Sequence, residues 1–446
     1  MTIEQLYEIF LRHPQVTTDS RRCPEGSIFF ALKGDTFNGN RFAATALQNG
    51  CAYAVIDEPV NEPHKHNDSR YILVGDVLTT LQQLAHIHRE HFRGPVIQIT
   101  GTNGKTTTKE LVSTVLSQKY NVLYTQGNLN NHIGVPLTLL RLTPDHDIAV
   151  IETGANHPGE IKTLAEIVDP DFGLITNVGV AHIEGFGSFE GVVKTKGELY
   201  DYLRSKDEAP GNYNIFLNAD NPHLTKIAEG LTPFTYGQRT PHYNVEGEVL
   251  ECAPFLKLRW SSMFNVQSSM SYEVQTHLIG AYNIDNVLAA VSVGIHFGVE
   301  PEQINKALVE YVPTNNRSEM RRTQRNVLIV DAYNANPSSM KAALENFALI
   351  TPPEGTTKML ILGEMRELGE VSEREHASVI EQIKTMFNGK PVWLVGKNFQ
   401  RLNPPFRTFA DAEEVKAQLK DHPIEGHLIL IKGSNGTRLF ELPEYL

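Results

Sequence analysis

Residues 96–109 read Val-Ile-Gln-Ile-Thr-Gly-Thr-Asn-Gly-Lys-Thr-Thr-Thr-Lys. An apolar run typical of a buried strand ends in a glycine-rich turn, and a segment with helical periodicity follows. The common phosphate-binding loop has four residues between its first glycine and the sequence Gly-Lys-Ser/Thr. Here only Thr102 and Asn103 separate Gly101 from Gly104, so the turn is two residues shorter. The order of strand, turn and helix predicts an α/β domain built around this turn.

The turn also predicts a nucleotide site. Its glycines let the backbone wrap closely around phosphate oxygens, and the first amides of the following helix attract anions. Lys105 would contact the β and γ phosphates, and the Thr106 hydroxyl would ligate Mg²⁺. The alternative, a plain strand-to-helix turn without a ligand, is disfavoured by this context. The residues expected to bind ATP are Gly101, Thr102, Asn103, Gly104, Lys105, Thr106 and Thr107.

The whole chain has the alternating pattern of an α/β protein. Its 446 residues indicate about three domains at roughly 150 residues each. We predict a small α/β domain at 1–93, a central domain at 94–312, and a Rossmann-like α/β domain at 313–446. The central domain should contain the phosphate-binding loop in a doubly wound, mostly parallel sheet, because its apolar runs are nearly continuous.

Local composition marks the boundaries between these domains. Gly94-Pro95 cannot continue a helix and closes the first domain. The charged residues 317–322 follow a stretch with loop composition, and we interpret them as a linker to the third domain. Residues 240–280 are polar and β-like, and they predict a small antiparallel section inside the central domain.

The bulk composition excludes several classes of protein. A formal net charge of −12 argues against a general nucleic-acid or membrane-surface binder, because such contacts need an excess of Lys and Arg. The three cysteines have no metal or redox spacing, and no apolar run reaches the roughly 18 residues of a membrane helix. The N-terminus lacks the pattern of a signal peptide. We expect a cytoplasmic protein and, by default, a monomer.

Two further side chains follow central strands. Glu152 ends the apolar run 148–151, and His182 follows the run 172–178. Ligands of open α/β sheets bind beyond the carboxyl ends of the strands, so both side chains should reach the edge that carries Lys105. A carboxylate there can hold Mg²⁺, and an imidazole can hold a second metal position. Taken singly, a helix-start carboxylate and a loop histidine are the alternatives.

The chain resembles the Mur ligases and folylpolyglutamate synthases, whose loop has this shortened spacing. Within the Mur ligases it is similar to the branch that adds a dipeptide. The stretches that carry the resemblance are TGTNGKTTTKE (100–110), DSRRCPEGSIFFALKGDTFNGNRF (19–42), GNLNNHIGVP (127–136), ETGANHPGEI (152–161), AHIEGFGS (181–188), GVVKTKGEL (191–199), YNIDNVLAA (282–290), DAYNANPSSM (331–340), LGEMRELGE (362–370) and KGS (432–434).

The resemblance implies a reaction. The terminal carboxylate of UDP-N-acetylmuramoyl-tripeptide would attack the γ-phosphate of ATP, and the amine of D-alanyl-D-alanine would then attack the acyl phosphate. The products would be an amide, ADP and phosphate. Two Mg²⁺ ions and Lys105 would neutralise the negative charges that this reaction brings together.

The resemblance also implies roles for individual residues. Lys196 would carry a carbamate (N6-carboxylysine) that ligates the second metal, with Lys194 as the alternative. The expected catalytic residues are Lys105, Glu152, His182 and Lys196, and the metal ligands are Thr106, Glu152, His182 and Lys196. Asn283, Arg317 and Asp331 would join the loop in binding ATP. Substrate contacts are expected from Ser20, Arg21 and Lys33 for the uridine diphosphate, Asn128, Asn130 and Asn131 for the muramoyl end, and Asn334 and Asn336 for the dipeptide.

The sequence departs from the family pattern at three positions. His132 stands where an acidic residue is usual, Tyr282 where a histidine is common, and Asn435 where an arginine often follows KGS, a charge that Arg438 could replace. Two other functions stay open. One is a sister ligase that adds a single amino acid, although the Arg-rich signature for a diamino acid is missing. The other is a P-loop protein that binds nucleotide without catalysis.

Overall fold

The computed structural model describes residues 1–59, 68–180, 183–206, 213–238, 242–263, 271–314 and 316–446. The first part of the chain forms a parallel sheet with strand order β1-β2-β5-β6 and a short antiparallel ribbon, β3-β4. Its elements are α1 (Ile3–Arg12), β1 (Val16–Thr17), β2 (Ile28–Phe30), β3 (Lys33–Gly34), β4 (Phe37–Asn38), α2 (Ala43–Gln48), β5 (Tyr53–Ile56), β6 (Tyr71–Leu73) and α3 (Val77–Glu90).

Helix α3 attaches this sheet to the next part of the chain. Apolar side chains of α1 and α3 pack in one core cluster with Leu139 and Ile151. Arg89 is 5% exposed, and its guanidinium donates to the backbone oxygens of Val168 and Asp169. A buried arginine stabilises a structure only when its donors are paired, so these bonds fix α3 against the central sheet.

The central sheet has the order β15-β14-β13-β12-β11-β10-β7-β9-β8. Pairing is parallel from β8 through β13 and antiparallel in β13-β14-β15. Its elements are β7 (Val96–Thr100), α4 (Lys105–Leu116), β8 (Val122–Tyr124), α5 (Gly134–Leu139), β9 (Ile148–Glu152), α6 (Glu160–Val168), β10 (Phe172–Ile175), α7 (Ile183–Phe186), α8 (Phe189–Ser205), β11 (Ile215–Asn218), α9 (Pro222–Ile227), β12 (Pro233–Gly237), β13 (Val245–Cys252), β14 (Phe255–Ser262), β15 (Ser271–Ile279), α10 (Ile284–His296) and α11 (Pro301–Glu310).

The loop-bearing strand β7 lies inside this sheet, between β9 and β10. Every residue of β7 and of β9 is buried, which explains their nearly continuous apolar sequences. The antiparallel section predicted within 240–280 is confirmed. It extends the edge of the central sheet, because β13 pairs with β12.

The third sheet has the order β16-β17-β21-β18-β19-β20 and is parallel except for the β16-β17 pair. Its core lies in two apolar clusters, one on each face. Its elements are β16 (Glu319–Arg322), β17 (Val327–Asp331), α12 (Pro337–Leu349), β18 (Thr357–Gly363), α13 (Ser372–Met386), β19 (Val392–Val395), α14 (Lys397–Arg401), β20 (Arg407–Phe409), α15 (Ala412–Asp421) and β21 (His427–Lys432).

Part of the linker prediction is wrong. The charged segment 317–322 contains β16, an edge strand that pairs antiparallel with β17. Arg321 and Glu319 are two residues apart, so they lie on one face of the strand and form an ion pair of 2.7 Å. Charged residues are common on edge strands because they prevent pairing with other chains, and this composition resembles that of a linker.

The predicted fold class is confirmed: the chain is α/β, with a large, mostly parallel central sheet and a separate C-terminal α/β sheet. The domain limits 1–93, 94–312 and 313–446 stay a prediction. None of the described helices combines the length and apolar composition needed to span a bilayer.

Candidate active site

The glycines of the 101–106 loop are required by its geometry. Gly101 has φ +143° and Gly104 has φ +77°. A Cβ on Gly101 would lie 2.0 Å from Thr176 Oγ1, and one on Gly104 would lie 2.5 Å from Asn286 Oδ1. Gly104 is the N-cap residue of α4, and no described side chain caps this helix. The first amides of α4 are therefore open to an anion.

Lys105 folds back over the loop. Its Nζ donates to the backbone oxygens of Gly101 at 2.7 Å and Thr102 at 3.0 Å. Burial lowers the pKa of the Lys105 ammonium to about 8; the Glu152 carboxylate opposes this shift and the Arg317 guanidinium adds to it. A phosphate beside Lys105 would raise this pKa again, because a neighbouring negative charge favours the ammonium form.

A cavity of about 900 Å³ lies in front of the loop, between the central sheet and the third sheet. It is large enough for a small-molecule substrate. Gly101 does not line it, although it forms the base of the loop. The predicted site residues that line this cavity are Thr102, Asn103, Gly104, Lys105, Thr106, Thr107, Asn128, Asn130, Asn131, Glu152, Asn283, Arg317, Asp331 and Asn334.

Glu152 has an unusual environment for a carboxylate. The residue is 1% exposed, and its Oε1 accepts hydrogen bonds from Thr106 Oγ1 at 3.1 Å and Asn130 Nδ2 at 2.8 Å. Its Oε2 is buried and has no hydrogen-bond partner among the described residues. A buried carboxylate oxygen without a partner is costly. This oxygen and the Thr106 hydroxyl are ligands that suit a hard divalent cation, so the residues present fit Mg²⁺.

Lys196 lies behind the wall of the cavity on α8. It is 2% exposed, its Nζ donates to the backbone oxygen of Ala155 at 3.4 Å, and the ammonium lies 5.4 Å from the centre of the Phe186 ring. Burial, and then the charge of Lys105, lower the pKa of Lys196 to about 7. The alternative, Lys194, is exposed. Of the two lysines, Lys196 therefore has the environment of a reactive amine.

The predicted metal ligand His182 lies outside the described residues. Within the described ranges, no group of three or more His, Cys, Asp and Glu side chains is placed to hold a metal ion. Of the predicted ligands, Glu152 is a carboxylate within the described ranges, whereas Thr106 and Lys196 are of other residue types. The metal-ligand set stays a prediction.

Three predicted ATP contacts meet at the far side of the cavity. Asn283 is 4% exposed, and its Nδ2 donates to the Ile279 backbone oxygen at 2.9 Å. The Arg317 guanidinium stacks 4.0 Å from the centre of the Tyr333 ring, and its buried Nε has no partner among the described residues. Asp331 pairs with Lys432 at 2.6 Å. A buried amide, a half-buried cation and a half-buried carboxylate thus face one space.

The predicted substrate contacts divide into two groups. Asn128, Asn130, Asn131 and Asn334 line the cavity, whereas Asn336 is 4% exposed and does not. Ser20 and Arg21 lie in the segment between β1 and β2, Lys33 lies in the β3-β4 ribbon, and none of the three lines this cavity. The Arg21 side chain is 87% exposed and pairs with Asp19, and Lys33 pairs with Asp57 at 2.9 Å. The structure does not bring these three residues to the phosphate loop.

Sequence reasoning missed several cavity residues. Lys432, Tyr333, Ser338 and Asn177 all line the cavity. Lys432 ends β21, which pairs in parallel with β17, the strand that ends in Asp331. The quoted KGS stretch could have identified Lys432, because the carboxyl ends of neighbouring parallel strands share one edge. Tyr333 and Ser338 lie in the quoted stretch 331–340, but neither ends a strand, so the strand-end rule does not single them out.

Comparison with known proteins identifies the family. The model of the Mur ligase family catalytic domain matches residues 14–89, that of the Mur ligase middle domain matches 99–294, and that of the Mur ligase glutamate ligase domain matches 316–435. The UDP-N-acetylmuramoyl-tripeptide–D-alanyl-D-alanine ligase of Bacillus subtilis (strain 168) is 33% identical over 440 residues, covering 96% of this chain and 92% of the relative.

Solved structures agree with this similarity. MurF from Acinetobacter baumannii aligns with a TM-score of 0.83 and 28% identity, covering 96% of this chain and 92% of that one. MurF from Thermotoga maritima, solved in complex with ADP, aligns with a TM-score of 0.81 and 26% identity, covering 97% and 96%. The chain therefore belongs to the Mur ligase family, in its MurF branch.

Proposed function

We propose that this protein is an ATP-dependent ligase that joins D-alanyl-D-alanine to UDP-N-acetylmuramoyl-tripeptide, giving UDP-N-acetylmuramoyl-pentapeptide, ADP and phosphate. The observation that carries the proposal is the cavity where the short phosphate loop meets Glu152, with the buried Lys196 just behind its wall. The names of the relatives, and the ADP complex of one of them, support the same reaction. This reaction is a step of peptidoglycan precursor synthesis.

The first chemical step needs concentrated positive charge. The tripeptide carboxylate must approach the γ-phosphate of ATP, and both groups are anions. Lys105 and Arg317 line the cavity, and the free amides of α4 add a partial positive charge. The carboxylate oxygen forms a bond to phosphorus as the bond to ADP breaks, which gives an acyl phosphate. Positioning and charge neutralisation supply most of the rate in such transfers.

The second step forms the amide. The free amine of D-alanyl-D-alanine attacks the acyl carbon, phosphate leaves, and the amine loses a proton. Asn334 lies on the third-sheet side of the cavity and Asn128, Asn130 and Asn131 on the central-sheet side. We assign Asn334 to the dipeptide and the other three to the muramoyl end, since this places the two substrates on opposite sides of the phosphate loop.

We assign Mg²⁺ to Thr106 and Glu152, where the hydroxyl donates to carboxylate Oε1 and the second oxygen, Oε2, has no partner among the described residues. When bound, Mg²⁺ would neutralise phosphate charge and orient the transferred group. Lys196 supports a second ion if it is carbamylated. A pKa of about 7 leaves much of the amine neutral near physiological pH, so its nitrogen can bond to the carbon of CO₂ and release a proton. His182 remains a predicted ligand.

The domain roles follow from this assignment. Residues 1–93 would bind the uridine diphosphate through Ser20, Arg21 and Lys33, residues 94–312 would hold ATP, and residues 313–446 would close on ATP and bind the acceptor. Asn283 would contact the base, Asp331 the ribose and Arg317 a phosphate. The monomeric state and the cytoplasmic location stay predictions from the sequence.

The proposal is tested by ADP release from purified protein. We expect release only when ATP, Mg²⁺, UDP-N-acetylmuramoyl-tripeptide and D-alanyl-D-alanine are all present. Single amino acids should not replace the dipeptide. Release with an amino acid and a shorter peptide substrate would indicate the sister ligase instead. Tight ADP binding without turnover on any acceptor would indicate a non-catalytic nucleotide-binding protein.

A further inference from the structure

Asn336 has a fixed orientation at the start of α12. Its Oδ1 accepts a hydrogen bond from the backbone N–H of Ser339 at 2.9 Å, and its own backbone N–H donates to Ser339 Oγ at 3.1 Å. This reciprocal cap uses the side-chain oxygen of Asn336, so the orientation of its amide is set by the helix. The Nδ2 group is left to bond elsewhere.

That Nδ2 group contacts the phosphate loop. It donates to Asn103 Oδ1 at 2.8 Å, although the two residues are 233 positions apart. Asn336 belongs to the third sheet's first helix, and Asn103 lies at the tip of the loop on the central sheet. Asn336 is 4% exposed and Asn103 is half-buried, so the bond is partly shielded from water and stronger than a fully exposed contact.

The backbone of Asn103 is already held by the central sheet. Its N–H donates to Asn177 Oδ1 at 3.0 Å, and its carbonyl accepts from Thr176 Oγ1 at 2.6 Å. The side-chain amide is what remains to be oriented. Because Asn336 donates to Oδ1, the donor Nδ2 of Asn103 is left for the cavity that Asn103 lines. The opposite orientation would present an oxygen to a phosphate and repel it.

We propose that Asn336 is a positioning residue that couples the placement of the C-terminal sheet to the phosphate loop. With α12 in place, the amide of Asn103 presents a donor to the nucleotide; without it, this amide can turn either way. This inference rests on the proposed nucleotide site. It assigns Asn336 to the loop and not to the dipeptide, the contact that the sequence predicts.

The test exchanges the amide without losing the helix cap. Serine is a good N-cap residue, so Asn336→Ser keeps α12 capped and removes the bond to Asn103. A buried neutral hydrogen bond corresponds to about a fivefold change in affinity. We expect Asn336→Ser to weaken ADP binding, measured by calorimetry, by about this factor and to raise the KM for ATP similarly. The KM for D-alanyl-D-alanine should stay unchanged.

The chain offers a matched control at the start of α9. Asn221 caps that helix through its Oδ1, which accepts from the backbone N–H groups of His223 and Leu224, and a proline follows it as one follows Asn336. Asn221→Ser makes the same exchange of caps at a residue that does not line the cavity. It should change thermal stability as much as Asn336→Ser does and leave ADP affinity unchanged.

A double-mutant cycle decides between coupling and independent effects. If Asn336 acts through Asn103, the pair Asn103→Ala with Asn336→Ser binds ADP no more weakly than Asn103→Ala alone. The inference is overturned if the fold-changes in ADP affinity of the two single variants multiply in the double variant. It is also overturned if Asn336→Ser changes only the KM for the dipeptide. Wild-type protein that binds no ADP would instead reject the proposed nucleotide site, so the two failures are distinguishable.

Discussion

Replacing Lys196 by methionine should make the protein more stable and inactive. Keeping an ammonium in this buried place is costly, since burial lowers its pKa from 10.5 to about 7. At about 1.4 kcal/mol per pKa unit, the cost is on the order of 4 kcal/mol near pH 7. Methionine has a similar length and fills the same space without a charge. We therefore expect Lys196→Met to raise the free energy of unfolding at pH 7 by several kcal/mol.

The gain should depend on pH with a defined sign. Between pH 7 and 10.5 the unfolded chain binds more protons at Lys196 than the folded chain does, so wild-type stability rises with pH in this range. Methionine removes that dependence. The difference between the variant and wild type should therefore shrink by about 2 kcal/mol from pH 7 to pH 9. Comparing the two proteins cancels the contributions of titratable groups that do not interact with Lys196.

The assay is urea unfolding of ligand-free protein in CO₂-free buffer at several pH values, beside ADP release at pH 7.5. Lys194→Met is the matched control, since Lys194 is exposed; its free energy of unfolding should change by no more than about 0.5 kcal/mol, with activity retained. A Lys196→Met variant that is less stable than wild type at pH 7, or whose difference does not vary with pH, would refute the reasoning.

Three further changes have defined outcomes. Gly104→Ala places a side chain at φ +77° and 2.5 Å from a neighbouring oxygen. It should abolish ADP binding and lower the free energy of unfolding by about 1–3 kcal/mol. This loss should exceed that of Gly127→Ala, whose added Cβ meets nothing within 4 Å. Thr106→Val removes the hydroxyl that bonds Glu152; calorimetry should show that ADP binding loses its Mg²⁺ dependence, whereas Thr106→Ser should retain it. Burial lowers the pKa of His376, so the free energy of unfolding of the wild type should fall as pH drops below about 6.5. Urea titrations at several pH values should show a smaller fall for His376→Gln. The same pH dependence in both proteins would contradict this.

Much of the fold was predictable because its signals are local. The nearly continuous apolar sequence of β7, the glycines that follow it and the polar start of α4 predicted the central α/β unit. The same reasoning predicted the antiparallel section within 240–280. It mistook β16 for a linker, since charged edge strands and linkers have similar composition. The strand's identity depends on its pairing with β17.

The candidate site was predictable to a smaller degree. Glu152, Thr106 and Lys105 meet as expected because strand ends of a parallel sheet share an edge. The role of Asn336 was not accessible in this way. Its spacing from Asn334 suggests a common surface, but Asn334 faces the cavity while Asn336 turns into the cap of α12. Side-chain direction in a loop depends on backbone angles that sequence patterns do not encode.

Residue patterns alone were enough to identify the short phosphate loop, the order of strands and helices around it, and the family of the chain, because each of these signals is carried by short stretches of neighbouring residues. The folded chain was needed to find that Lys196 is buried while Lys194 is exposed, that one oxygen of Glu152 has no described partner, and that Asn336 reaches Asn103. Burial and long-range contacts arise from the packing of segments far apart in the chain, and they set the pKa values and orientations on which the chemistry depends.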